Sequence, residues 1–96
     1  MRYQLVTWFH ELDSQPVWLF SEVDEHNREV RKVERYRNGR LDLAGDGIET
    51  GSTFLAEKPM PTLDEIDVQE QFSAKEIHAD DFEKAWREAL DWFDLL

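Results

Sequence analysis

Short runs rich in β-branched and aromatic residues open the chain, and apolar positions recur with a period near 3.6 at its end. Residues 3–10, YQLVTWFH, are rich in β-branched and aromatic types and read as a first strand. ELDSQ carries turn formers. Pro16 then opens a second run, VWLFSEV, at a position where a strand tolerates proline. There Val17, Leu19, Ser21 and Val23 alternate with Trp18, Phe20 and Glu22. Both sets are apolar at their start, which predicts a central strand covered on part of its second face.

DEHN, residues 24–27, is a polar turn. In the next stretch Val30, Val33 and Tyr36 recur at three-residue steps, as in a helix, yet all three are β-formers. Val30 and Val33 fall on opposite faces of a regular strand, and a bulge would repair that. Asn38-Gly39 decides for a hairpin of residues 28–37 and 40–45 with a type I′ turn, which needs positive φ at both central positions. In such a strand Arg31, Arg35 and Arg37 share a side with Glu29 and Val33, and Lys32 lies opposite with Glu34. Asp42 is then the expected cross-strand partner of Arg35 or Arg37.

AGDGIETGST, residues 44–53, reads as a loop. It lacks the phosphate-cradling glycine pattern, and Asp46 and Glu49 would repel phosphate. Its acidic spacing is not that of an EF-hand. TFLAEK reads as a short fifth strand, and Pro59 and Pro61 impose an extended connector. Thr62 with Glu65 forms a capping-box pattern that starts a short helix running to about Glu70. FSAKEIH is extended. Phe82, Ala85, Trp86, Ala89, Leu90 and Phe93 then form an apolar helical stripe, with Asp80, Asp81 and Glu83 in the favourable first turn. The pattern as a whole predicts one α+β domain over residues 1–96. It is an antiparallel β-meander of four to five strands, with a C-terminal amphipathic helix packed on one face and a short helix near 62–70.

Charge adds an asymmetry. Residues 1–40 hold seven basic and seven acidic residues, whereas residues 41–96 hold four basic and fifteen acidic, so the net charge of −11 lies wholly in the second part. Such a field disfavours nucleic acid and attracts a basic protein. The basic residues instead concentrate between Arg28 and Arg40, as either a contact face or a solvated strand pair. The chain has no cysteine, so thiolate metal sites and disulfides are excluded. No stretch approaches the roughly 20 apolar residues of a membrane span. No signal-peptide pattern opens the sequence, so the expected location is the cytoplasm.

Candidate chemistry is sparse. His10, His26 and His78 lack metal-ligand spacing, and no metal or cofactor is expected. His10, followed by Glu11 and Asp13, could serve as a general base oriented by a carboxylate. The serines lack a nucleophile-elbow context. The aromatic residues are mostly core in this reading, but Trp92 beside Asp91 and Asp94 has the composition of a protein contact.

Several short motifs occur together: W-F-H at 8–10, P-V at 16–17, L-F-S-E-V-D at 19–24, R-K-V-E at 31–34 followed by N-G, P-M-P-T-L-D-E-I at 59–66, and F-E-K-A-W at 82–86. This set resembles a family of small bacterial single-domain proteins whose domain has no known function. The resemblance spans nearly the whole chain and implies no catalytic residue. By analogy, small acidic cytoplasmic proteins of this kind are similar to immunity proteins, which neutralise a toxin.

The leading expectation is therefore a non-enzymatic, acidic protein-binding module, an immunity- or antitoxin-like inhibitor that occludes a basic, nuclease-like toxin. Its expected contacts are Asp46, Glu49, Asp80, Asp81, Asp91, Trp92 and Asp94, on a monomer or small homo-oligomer. Two alternatives stand beside it. One is an interaction subunit that binds an acidic protein through Arg31, Arg35 and Arg37 of the basic hairpin 28–40. The other is a small enzyme centred on His10.

Overall fold

A computed structural model describes residues 1–96. Its sheet is antiparallel throughout and has six strands: β1 (Arg2–Trp8), β2 (Trp18–Val23), β3 (Glu29–Arg35), β4 (Leu41–Gly45), β5 (Ile48–Glu49) and β6 (Phe72–Ile77). Two helices complete the α+β fold, α1 (Leu63–Asp67) and α2 (Ala79–Trp92). The strand order is β5-β4-β3-β2-β1-β6, so β1 to β5 form a meander and β6 returns to the free side of β1. The expected strand at 53–58 does not form. A two-residue strand, β5, forms inside the expected loop instead.

Strand alternation separates the two faces. Leu5, Phe20, Val33 and Leu43 lie in one row across β1–β4 and face α2. Phe82, Ala85, Trp86 and Ala89 of α2 complete this core with Leu41, which is the stripe that the helical period predicts. The opposite face carries Val6, Leu19 and Ser21 and is overlain by the segment 50–69, including α1. Thr62 caps α1, its hydroxyl accepting the Glu65 N–H at 3.2 Å. β2 thus has cover on both faces, as its sequence implies.

The predicted bulge is present. Glu22 pairs with Arg31 but Val23 pairs with Glu29, leaving Val30 without a partner. This places Glu29 on the face away from α2 and separates it from Arg31, Val33 and Arg35, with which a regular strand would have grouped it. Its carboxylate there accepts hydrogen bonds from the Ser21 hydroxyl and the Ala56 N–H.

The turn at Asn38-Gly39 is not type I′. Tyr36 N–H donates to Arg40 O at 2.9 Å, Gly39 N–H donates to Tyr36 O at 3.0 Å, and Gly39 alone has positive φ, at 91°. This is a three-residue loop, a type I turn closed by one left-handed residue. The β2–β3 turn repeats it. Asp24 N–H donates to Arg28 O at 2.9 Å, Asn27 N–H donates to Asp24 O at 3.0 Å, and Asn27 has φ 61°. The type I′ turn occurs one hairpin later, at Asp46 (φ 52°) and Gly47 (φ 81°), between the paired Gly45 and Ile48.

Candidate protein-interaction surface

The basic run that stands out in the sequence is engaged in contacts within the chain. Arg31 extends from β3 toward α2, where its Nε donates to Glu22 Oε1 at 2.7 Å and its Nη2 to Glu22 Oε2 at 2.9 Å. Nη2 also bonds Glu83 on α2. The guanidinium lies 4.9 Å from the Phe82 ring centre and 5.0 Å from that of Trp86, and its side chain is only 12% exposed. The bond from Arg31 holds the Glu22 carboxyl below its ordinary range, and Glu22 in turn raises Arg31. Burial, followed by the neighbouring Glu22, raises the Tyr3 phenol.

The remaining cations of the run are also engaged. Arg35 pairs with Glu88 of α2 at 2.8 Å and Arg37 with Asp13 at 3.3 Å, so neither is the partner of Asp42. Asp42 is buried and is met by Arg40 at 3.0 Å, by the Tyr36 hydroxyl at 3.0 Å and by the Thr50 hydroxyl at 2.8 Å. Burial and Asp42 together push the Tyr36 phenol up to about 12. Lys32 donates to Phe54 O and Arg28 to Glu57 O, each at 2.8 Å. Arg31, Arg35 and Arg37 therefore do not form one open basic face. Partners 52 and 53 residues away on α2 take up Arg31 and Arg35.

His10 is held by the backbone. Its Nε2 lies 2.8 Å from Pro16 O, and its Nδ1 accepts the Leu12 N–H at 2.9 Å, which places the ring proton on Nε2. Its ring packs on Trp8 at 4.3 Å. Neither Glu11 nor Asp13 orients it, and Asp13 turns to Arg37. No group of three or more metal-capable side chains converges.

The structure puts the expected acidic contacts in three places. Asp46 and Glu49 belong to the β4–β5 hairpin, and Asp46 occupies the left-handed turn position that Asp accepts readily. Asp80 and Asp81 lie in the first turn of α2, where the helix dipole favours them, and Asp81 accepts the His78 N–H at 3.1 Å. Asp91, Trp92 and Asp94 lie at the other end of α2, about 16 Å further along the axis.

This last group has no local structural reward. Asp94 N–H donates to Asp91 O at 3.0 Å and Leu95 N–H to Leu90 O at 2.8 Å, a Schellman closure with Asp94 in its left-handed position at φ 57°. Glycine suits that position best. Two acids also stand at the negative end of the helix dipole, with no basic residue in the last turn. Trp92 is 54% and Leu95 49% exposed beside them.

The comparison with protein families agrees with this single sheet-and-helix unit. A family model described as a domain of unknown function, DUF6881, matches residues 2–91. The chain belongs to the DUF6881 family. The match takes in all six strands and α2 as far as Asp91, hence both carboxylates that hold Arg31. No curated protein and no solved structure matches the chain. No helix of this DUF6881 domain is long and apolar enough to cross a membrane.

Proposed function

We propose that this DUF6881 chain is a protein-binding module of the immunity-protein type, which occludes a basic cleft on its partner with the C-terminal end of α2. The observation that carries this reading is the local cost of Asp91 and Asp94, which no contact within the chain offsets, next to an exposed Trp92. Residues that break a local rule without internal compensation mark sites selected for something else. A Trp anchor flanked by carboxylates suits a partner surface that combines an apolar socket with Arg or Lys. The internal pairing of the hairpin arginines supports the same reading, because it leaves the outward charge dominated by acids. Occlusion requires no catalytic group of the module's own.

The test is capture on the tagged chain from its native host, with a salt step for elution, followed by a growth assay on the captured protein. Expression of that protein alone is expected to arrest growth, and co-expression of the chain to restore it. Asp91→Lys with Asp94→Lys should abolish rescue, whereas Asp80→Lys with Asp81→Lys should retain it. Rescue that survives the helix-end reversal would overturn the proposed surface. A partner that elutes with salt but is harmless would overturn the immunity reading.

A further inference from the structure

The sheet face turned away from α2 contains a cavity of about 370 Å³, within the range of roughly 300–1,000 Å³ usual for ligand pockets. Val6, Trp8, Leu19 and Phe72 line it from the sheet, and Met60 and Ile66 from the overlying segment. None of its lining comes from α2, so it is independent of the helix-end surface.

One part of its wall is polar. The Glu29 side chain is 4% exposed and that of Lys32 is 17% exposed. Glu29 Oε2 accepts the Ser21 hydroxyl at 2.7 Å, and Oε1 accepts the Ala56 N–H at 2.9 Å. Lys32 Nζ stands 3.7 Å from Oε1, too far for a hydrogen bond, and spends one proton on Phe54 O. The two charges cancel, yet the carboxylate keeps accepting capacity and the ammonium keeps donating capacity. A neutral group with N–H and C=O side by side would satisfy both. An ionised ligand would bring an uncompensated charge into the cavity.

Gln4 lies on the same sheet face but outside the cavity lining. It pairs in register with Ser21 on the same face, is fully buried, and neither atom of its carboxamide has a partner. A buried amide is rarely left without hydrogen bonds. The polar side chains that line the cavity are those of Ser21, Glu29, Lys32 and Gln69.

We propose that the cavity binds a small, uncharged, planar molecule with a lactam-type edge. Its aromatic part lies between Trp8 and Phe72 on one side and Met60 and Ile66 on the other, and its N–H and C=O meet Glu29 and Lys32.

The test uses 2-quinolone, a fused aromatic lactam, titrated into the isotope-labelled chain and followed by two-dimensional NMR. Quinoline, which lacks the N–H and C=O, and quinoline-2-carboxylate, which is anionic, serve as comparators. Shifts are expected at Trp8, Leu19, Ser21, Gln69 and Phe72 and not along α2, with the lactam bound about tenfold more tightly than either comparator. Glu29→Gln leaves Lys32 uncompensated and should reverse the order of lactam and carboxylate. Ala56→Leu narrows the cavity and should weaken lactam binding by about tenfold. Circular dichroism checks that each variant is folded. Should either fail to fold, the shift map and comparator order of the unaltered chain decide alone. Absence of shifts at millimolar 2-quinolone, shifts centred on α2, or equal binding of quinoline and lactam would each overturn the proposal.

Discussion

Arg31 and Glu22 face each other across β3 and β2 with two hydrogen bonds of 2.7 and 2.9 Å, sealed beneath Phe82 and Trp86. The pair ties the sheet to α2, because the same guanidinium reaches Glu83. Removing one partner strands a buried charge. Arg31→Met should therefore destabilise the fold by about 3–5 kcal/mol, whereas the double variant Glu22→Gln with Arg31→Met should cost much less than the sum of the single changes. Urea unfolding of the four members of the cycle measures this.

The same pair sets an acid limit. Glu22 is held below its ordinary pKa of 4.5 by Arg31, so its contribution to stability is complete above that value and is lost as pH falls through the lower folded-state value. Thermal unfolding followed from pH 6 to about pH 3 should show a decline. That decline should become shallower in Glu22→Gln.

Tyr36 gives the opposite sign. Burial and Asp42 raise its phenol from 10.0 to about 12, so the stability it contributes is complete below pH 10 and is lost as pH rises toward 12. Ultraviolet titration of phenolate should show Tyr36 ionising later in the folded chain than in denaturant. Tyr36→Phe should remove that delayed step and, by taking one hydrogen bond from buried Asp42, cost about 1–3 kcal/mol.

The end of α2 should separate stability from binding. Asp94→Gly removes a carboxylate from the negative end of the helix dipole and suits the left-handed φ of 57°, and should stabilise the fold by about 0.3–1 kcal/mol, mostly through the charge. Asp91→Lys reverses an unfavourable dipole contact and should add about 0.3–1 kcal/mol. Both variants should bind the basic partner more weakly despite their higher melting temperature. Unchanged or lower stability would remove the argument that these two acids are locally costly.

The β4–β5 turn discriminates by side chain. Asp46→Gly or Asp46→Asn should leave stability within about 0.5 kcal/mol, because both residues accept the left-handed region. Asp46→Val should cost more than about 1 kcal/mol, since a β-branched residue is strained there. Denaturant midpoints of the three variants check the order.

Much of this architecture is legible in the sequence because its cues are local. The Phe82–Ala89 stripe, the Thr62 cap, the alternation of β2 and the bulge near Val30 all depend on neighbours within a turn or a strand. The readings that failed concern choices that local pattern does not make. Asn38-Gly39 and Asp46-Gly47 are both hairpin dipeptides, yet only the second forms the two-residue turn. In the first, Tyr36 pairs with Arg40 and lengthens the loop by one residue. Reading residues 44–53 as a loop overlooks this Asp-Gly signal. The destination of Arg31 and Arg35 could not be read, since their partners on α2 lie 52 and 53 residues away and become neighbours only through packing. Of the candidate contacts, the Asp91-Trp92-Asp94 group was recognisable by composition, while the left-handed backbone of Asp94 was not.

The return of β6 to β1 bears on how the chain acquires its fold during synthesis. Tyr3 pairs with Ile77, so β1 keeps one edge open until the chain has grown by 74 residues beyond Tyr3. Through that interval β1 offers Leu5, Val6 and Trp8 on a strand paired only with β2. An open edge of this kind invites pairing with other nascent chains. The β1–β6 pairing is the most non-local contact of the sheet, the kind of contact that correlates with slower folding. α2 begins directly after β6, so the same return that brings β6 to β1 carries the helix to the core built on β1–β4.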